Sequence, residues 1–207
     1  IAPLHLQESY DNSGLIIGDL ENKVQGCLIT LDCTEEVIDE AVRKKCNLII
    51  AHHPIIFNPL KKIVGNSYVE RTIIKAIKND IAVYAIHTNL DNHPKGVNFQ
   101  ISKKLSLINT KILIPKTGFK GGMGMIGKLK ESFSEKEFLK YVKKKMKVKT
   151  IKHSPLIDKK INNVAVLGGS GSFAIDDAIN SKADCLITSD LKYHDYFKAE
   201  NKILLLD

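Results

Sequence analysis

The chain has no tryptophan, only two arginines (Arg43 and Arg71) and 6% aromatic residues in 207 positions. So little arginine argues against a sequence-reading nucleic-acid binder, because bidentate contacts to bases and phosphates favour the guanidinium fork. The four cysteines, Cys27, Cys33, Cys46 and Cys185, form no C-x-x-C pair. In a chain of this length they do not make a disulfide framework. Buried, reduced thiols and a cytoplasmic location are the expectation. No uninterrupted apolar run approaches 18 residues, which excludes an apolar helix that spans a membrane. The first residues lack the basic start and apolar stretch of a secretory signal. The chain opens on Ile1 rather than Met, so it is expected to belong to a longer protein.

What is present suits an ordinary globular chain, with 43% hydrophobic and 26% charged residues, enough for one large or two small domains. The net charge of +8 is concentrated: residues 136–152 hold eight lysines against one acid, Glu137. Phe138, Leu139, Val142 and Met146 recur there at helical spacing. This reads as an amphipathic helix with a solvated lysine face, not as a specific nucleic-acid surface.

Alternating strands and helices predict an α/β fold. Val24–Leu31 reads as a strand, and Thr34 can cap a helix that Glu35 and Glu36 suit at its N-terminal end. Leu48–Ala51 is a continuous apolar strand, expected to be covered on both faces. A helix over 67–78, a strand over 81–86 and a helix from about Gly96 follow. Residues 110–130 are rich in Gly, Lys and Pro and read as antiparallel or edge strands. After the lysine helix come strand 163–167, a Gly168–Gly171 turn, helix 173–180, strand 185–187, helix 193–199 and strand 203–206. Two related α/β lobes with mixed sheets are expected, 1–109 and 110–207.

Chemistry gathers behind two apolar strands. His52-His53-Pro54 follows the first, and His87-Thr88-Asn89-Leu90-Asp91 follows the second. Binding sites in α/β sheets collect at the carboxyl ends of strands. If these strands are neighbours, His52, His53, His87 and Asp91 converge. Imidazole with carboxylate suits Zn, Mn, Fe, Co or Ni and is too nitrogen-rich for a dedicated Mg or Ca site. A hydrogen-bonded, partly buried histidine pair is the other reading of His52-His53. His93, before Pro94, reads as a surface histidine. Gly168-Gly169-Ser170-Gly171-Ser172 is either a tight turn or an anion cradle, though it lacks the lysine of a P-loop. Asp190 and His194, four apart, share a face if helical; Asp190 could equally cap the helix.

Asp11-Asn12-Ser13-Gly14-Leu15, Gly18-Asp19, the HHP and HTNLD segments and Gly168-Gly169-Ser170-Gly171 occur in one order along the chain. In this the sequence resembles the Nif-three-like family, often labelled GTP cyclohydrolase I type 2 homologues. The resemblance implies a two-lobed α/β subunit, a toroidal homohexamer and two divalent transition-metal ions. It implies His52, His53 and Asp91 as metal ligands and His87 as a catalytic group lining the site. Asp11, Asn12, Asp32, Asp190 and His194 are candidates for a supporting layer behind the ligands. The implied function is hydrolytic: metal-bound hydroxide attacks a nucleotide-like substrate, in GTP the imidazole carbon of guanine. The alternative is a non-enzymatic metal-binding or regulatory protein-interaction module. No specific nucleic-acid or membrane partner is expected.

Two departures accompany the resemblance. Family members continue past the last strand into a Gly-His-Tyr segment and a Glu that complete the dinuclear site, whereas this sequence ends at Asp207. Longer members also insert a domain where this chain has the short link 116–124.

Overall fold

Two parallel crossovers build the first part of the chain. In the computed structural model, which describes residues 2–207, β1 (Gly14–Ile17) precedes β2 (Cys27–Thr30), α1 (Glu35–Arg43), β3 (Leu48–Ala51), α2 (Tyr68–Lys78) and β4 (Ala82–Ala85). The helices begin where side chains can receive the first free N–H groups. Thr34 accepts from the Val37 N–H and Ser67 from the Glu70 N–H. The sheet order is β1-β4-β3-β2, with β2, β3 and β4 parallel and β1 antiparallel to β4. β1 lies outside the strands predicted from sequence.

Because β2, β3 and β4 are consecutive neighbours, right-handed crossovers place α1 and α2 on one face of the sheet. Ile38, Ala41, Ile73 and Ala76 pack there against Ile49, Ala51 and Val83. The opposite face carries Ile29, 78% exposed, beside half-buried Leu48, Ile50 and Tyr84. The expectation that β3 is covered on both faces therefore holds for one face only.

The chain folds as two compact units, 2–90 and Asp91–Asp207. The short helix α3 (Thr88–Asp91) runs across the division. The second unit contains α4 (Val97–Lys104), β5 (Ile108–Pro115), β6 (Gly122–Ser134), α5 (Glu135–Met146), β7 (Lys160–Ser170), α6 (Ile175–Asn180), β8 (Cys185–Ser189) and β9 (Leu204–Leu206). Its sheet order is β5-β6-β7-β8-β9, antiparallel across the first three strands and parallel across the last three. Both faces of this sheet are covered. Ala165, Leu167, Leu186 and Leu205 pack with Ile175 and Ala178 of α6. Val164, Val166, Cys185, Leu204 and Leu206 pack with Phe138 and Val142 of α5.

The link 116–121 is a tight hairpin, in which the Lys116 N–H donates to the Gly121 carbonyl at 2.9 Å. The predicted Gly168–Gly171 turn differs. β7 runs through Ser170, and only Gly171 remains before a 3-10 turn at Ser172–Ala174. The predicted helix over 193–199 is a 3-10 helix, Tyr193–Ala199. Of the four cysteines, Cys33 and Cys185 are buried, Cys46 is half-buried and Cys27 is exposed, and all four are free thiols.

Candidate metal centre

Four segments of the first unit meet at one edge of its sheet. β2, β3 and β4 point their carboxyl ends there, delivering Asp32, His52-His53 and His87. β1 runs the other way, so the residues before it, Asp11-Asn12-Ser13, arrive at the same edge. The chain leaving β3 is held by backbone bonds. The His52 N–H donates to the carbonyls of Thr30 and Leu31, and the His53 N–H to that of Leu31 at 3.0 Å.

The three imidazoles converge. Their ring centroids lie 5.0 Å (His52–His53), 5.4 Å (His52–His87) and 5.6 Å (His53–His87) apart. One donor atom from each lies within 4.8 Å of the others, and this is the one such group of three among the described residues. In each ring Nδ1 is engaged. His52 Nδ1–H donates to the Ile86 carbonyl at 2.8 Å, a partner that can only accept. His53 Nδ1 meets Asp32 Oδ1 at 2.7 Å, and His87 Nδ1 meets Asp11 Oδ1 at 2.7 Å. A carboxylate accepts, so these Nδ1 atoms carry the protons and Nε2 carries the lone pair. Imidazoles that hold a metal are oriented in this way by a carbonyl or carboxylate on the far nitrogen. The donor set thus fits a divalent transition ion.

Asp11 is the hub behind His87. Its side chain is fully enclosed. It accepts from the Ser13 hydroxyl, the Asn12 and Thr88 N–H groups, the Thr88 hydroxyl and His87. Burial pushes the Asp11 carboxyl up, but the bonds from Thr88, His87, Ser13 and the Asn12 N–H outweigh it and bring it down to about 2. Burial also lowers the His52 imidazole, against the Ile86 hydrogen bond, which raises it, and the neighbouring His53 and His87 add to the lowering; the direction favours the neutral ring. Asn12 donates from Nδ2 to the Ile56 carbonyl at 2.7 Å and ties the loop before β1 to the loop after His53.

The remaining predicted residues lie in the second unit. Asp91 is its first residue and the last of α3. His93 is half-buried, and its Nδ1 accepts from the Lys95 N–H at 3.2 Å. Asp190 is exposed in left-handed backbone (φ 59°) and precedes the 3-10 helix instead of sitting in it. His194 is exposed, with its ring 5.1 Å from Tyr193. The Gly168 N–H donates to Asn98 Oδ1 at 2.7 Å, which removes it from any anion cradle. The strand β9 belongs to the second sheet. Sequence reasoning missed Thr88 and Ser13 as supports of Asp11. Both sit inside the quoted motifs, but the pairing spans 77 residues between Asp11 and Thr88 and leaves no local periodic trace.

A family model described as Duf34/NIF3 (NGG1p interacting factor 3) matches residues 1–207. The chain belongs to this family. A Clostridium acetobutylicum member named GTP cyclohydrolase 1 type 2 homolog is 40% identical over 195 residues, which cover 93% of this chain and 73% of that one. A crystallised Bacillus cereus protein related to NIF3 matches 100% of this chain and 84% of its own, with 29% identity and a TM-score of 0.92. A Staphylococcus aureus crystal structure matches with 30% identity and a TM-score of 0.92, over 100% of this chain and 81% of its own. The resemblance read from the motifs and the mixed α/β fold are both borne out by these DUF34/NIF3 relatives.

Proposed function

We propose that this protein is a divalent-metal-dependent, hydrolase-like protein acting on a small nucleotide-like molecule, with two ions bound per subunit. The observation that carries the reading is the convergence of His52, His53 and His87 with every Nδ1 already engaged. His52 and His53 are ligands in this reading, and the motif resemblance implies the Asp91 carboxylate as a third. A bound transition ion supplies Lewis acidity and lowers the pKa of water towards neutrality. His53 is held in direction by Asp32, and His52 by the Ile86 carbonyl. His87, oriented by buried Asp11, takes and returns a proton at Nε2, the geometry of a histidine backed by a carboxylate. The relatives' name, GTP cyclohydrolase 1 type 2 homolog, supports a nucleotide-like substrate. Self-association into a homo-oligomer is part of the proposal, because the uncovered face of the first sheet is apolar.

Metal analysis and turnover on a nucleotide panel test this together. His52→Ala is expected to lose metal while keeping its circular-dichroism spectrum. His87→Ala is expected to keep metal and lose metal-dependent product release. Wild-type metal content in His52→Ala would sink the ligand assignment. Metal binding without release from any nucleotide would favour the protein-interaction role that the family description, NGG1p interacting factor 3, attaches to its namesake.

A further inference from the structure

Two aromatic side chains stand exposed at the edge of the histidine cluster, in a chain with few of them. Phe57, 44% exposed, meets the His87 ring edge to face, with centroids 6.1 Å apart and planes at 86°. Tyr10, 60% exposed, meets Phe57 at 6.5 Å and 62°. Among the described residues, neither belongs to an apolar core cluster. Leaving two large rings partly in water forgoes some of the burial that each could contribute to folding. Their placement is nevertheless specified. Asn12 bonds the Ile56 carbonyl and so holds the loop bearing Tyr10 against the loop bearing Phe57. Asp11, between Tyr10 and Asn12, anchors that loop to His87.

We infer that Tyr10 and Phe57 form the wall that selects the substrate, taking a planar nitrogen-heteroaromatic ring by stacking and presenting it to the histidine edge. The inference rests on the metal-site reading above and adds which residues recognise the ring. An aromatic face accepts any π-system of similar size, so the wall chooses planarity and leaves finer choice to polar contacts. Saturated rings and bare sugar phosphates would find no partner there. Tyr10 and Phe57 are not among the proposed ligands, so changing them should leave the metal in place.

The probes are guanosine 5′-monophosphate and ribose 5-phosphate, which share a sugar phosphate and differ by the base. Binding to the metal-loaded full chain is measured by calorimetry, with metal content determined on each sample. The wild type is expected to bind the nucleotide at least about tenfold more tightly than the sugar phosphate, in keeping with one base–aromatic stack. Phe57→Leu, which keeps bulk without the ring, should abolish that preference, and so should Tyr10→Leu. Phe57→Tyr should retain it. Unchanged metal content in all three variants is expected. Equal binding of the two probes by the wild type, or an undiminished preference in Phe57→Leu, would overturn the assignment. A wild type that takes up no metal is a separate result: it would strike the metal reading, whereas equal probe binding on metal-loaded protein strikes only the aromatic wall.

Discussion

At the scale of single residues, Asp11 concentrates more of the site than any other side chain. Its folded value of about 2 lies below that of an unfolded aspartate, about 3.9. A group depressed on folding contributes stability that is whole above the unfolded value and is lost as pH falls through the folded one. In metal-free protein, Asp11→Asn is therefore expected to lower stability at pH 7 by about 1–2 kcal/mol, after allowing for solvent screening. The gap should roughly halve at pH 3 and nearly close at pH 2. Thermal unfolding of both proteins across that range measures it, and a gap independent of pH would contradict the account. Gly18 is a residue-scale constraint of another kind. It has φ +118°, and a Cβ there would lie 2.7 Å from the Ala82 Cβ and 2.9 Å from its Cα. Gly18→Ala should cost about 2 kcal/mol or more, as strained backbone and overpacking combine, and should loosen β1 against β4. Urea unfolding that shows no loss would contradict that reading.

At the scale of elements, the lysine-rich helix α5 shows how local and tertiary signals agree. Ser134 accepts from the Glu137 N–H while the Glu137 carboxylate accepts from the Ser134 N–H, a complete capping box. Phe138 is fully buried and Val142 nearly so, which is the apolar stripe read from the spacing. Glu135, also buried, accepts from the Ile157 and Asp158 N–H groups and pins the loop before β7 to the helix start. Ser134→Ala should cost about 1 kcal/mol. Phe138→Ala should cost about 3–5 kcal/mol, since it removes a core ring and leaves a cavity. Chemical denaturation would distinguish the two, and similar small losses in both would mean that α5 is not packed as described. The lysines that flank the stripe are exposed apart from half-buried Lys145, which donates to the Ser106 hydroxyl, so any binding of duplex DNA through 136–152 should be weak, indifferent to sequence and lost near 200 mM salt.

At the scale of the whole molecule, the two sheets differ in how they are covered. The five-stranded sheet is buried on both faces, whereas the four-stranded sheet leaves one face with Ile29, Leu48, Ile50 and Tyr84 partly in water. Parallel strands seldom stay uncovered on one side. Self-association is expected to use this face, so Ile29→Asp should shift the protein to a smaller species in analytical ultracentrifugation at micromolar concentration. The same distribution for wild type and variant would show that the face is not the contact.

The alternation of strands and helices, the Thr34 start of α1, the apolar stripe of α5, and the HHP and HTNLD segments behind their strands were all readable along the chain. Each rests on neighbours a few residues apart: a capping hydroxyl, a periodic apolar stripe, or an imidazole placed just past a buried strand. The Gly168–Gly171 segment misled because glycines often mark turns, whereas here the Asn98 side chain satisfies the Gly168 N–H and β7 continues through Ser170. What only the tertiary structure decided is which distant residues share the edge. The parallel pairing of β3 with β4 set His52 and His53 beside His87. The antiparallel entry of β1 brought Asp11 to His87 and Tyr10 to Phe57. Strand order and direction follow from burying a whole sheet face at once, a cooperative choice among many residues that no short stretch of sequence encodes.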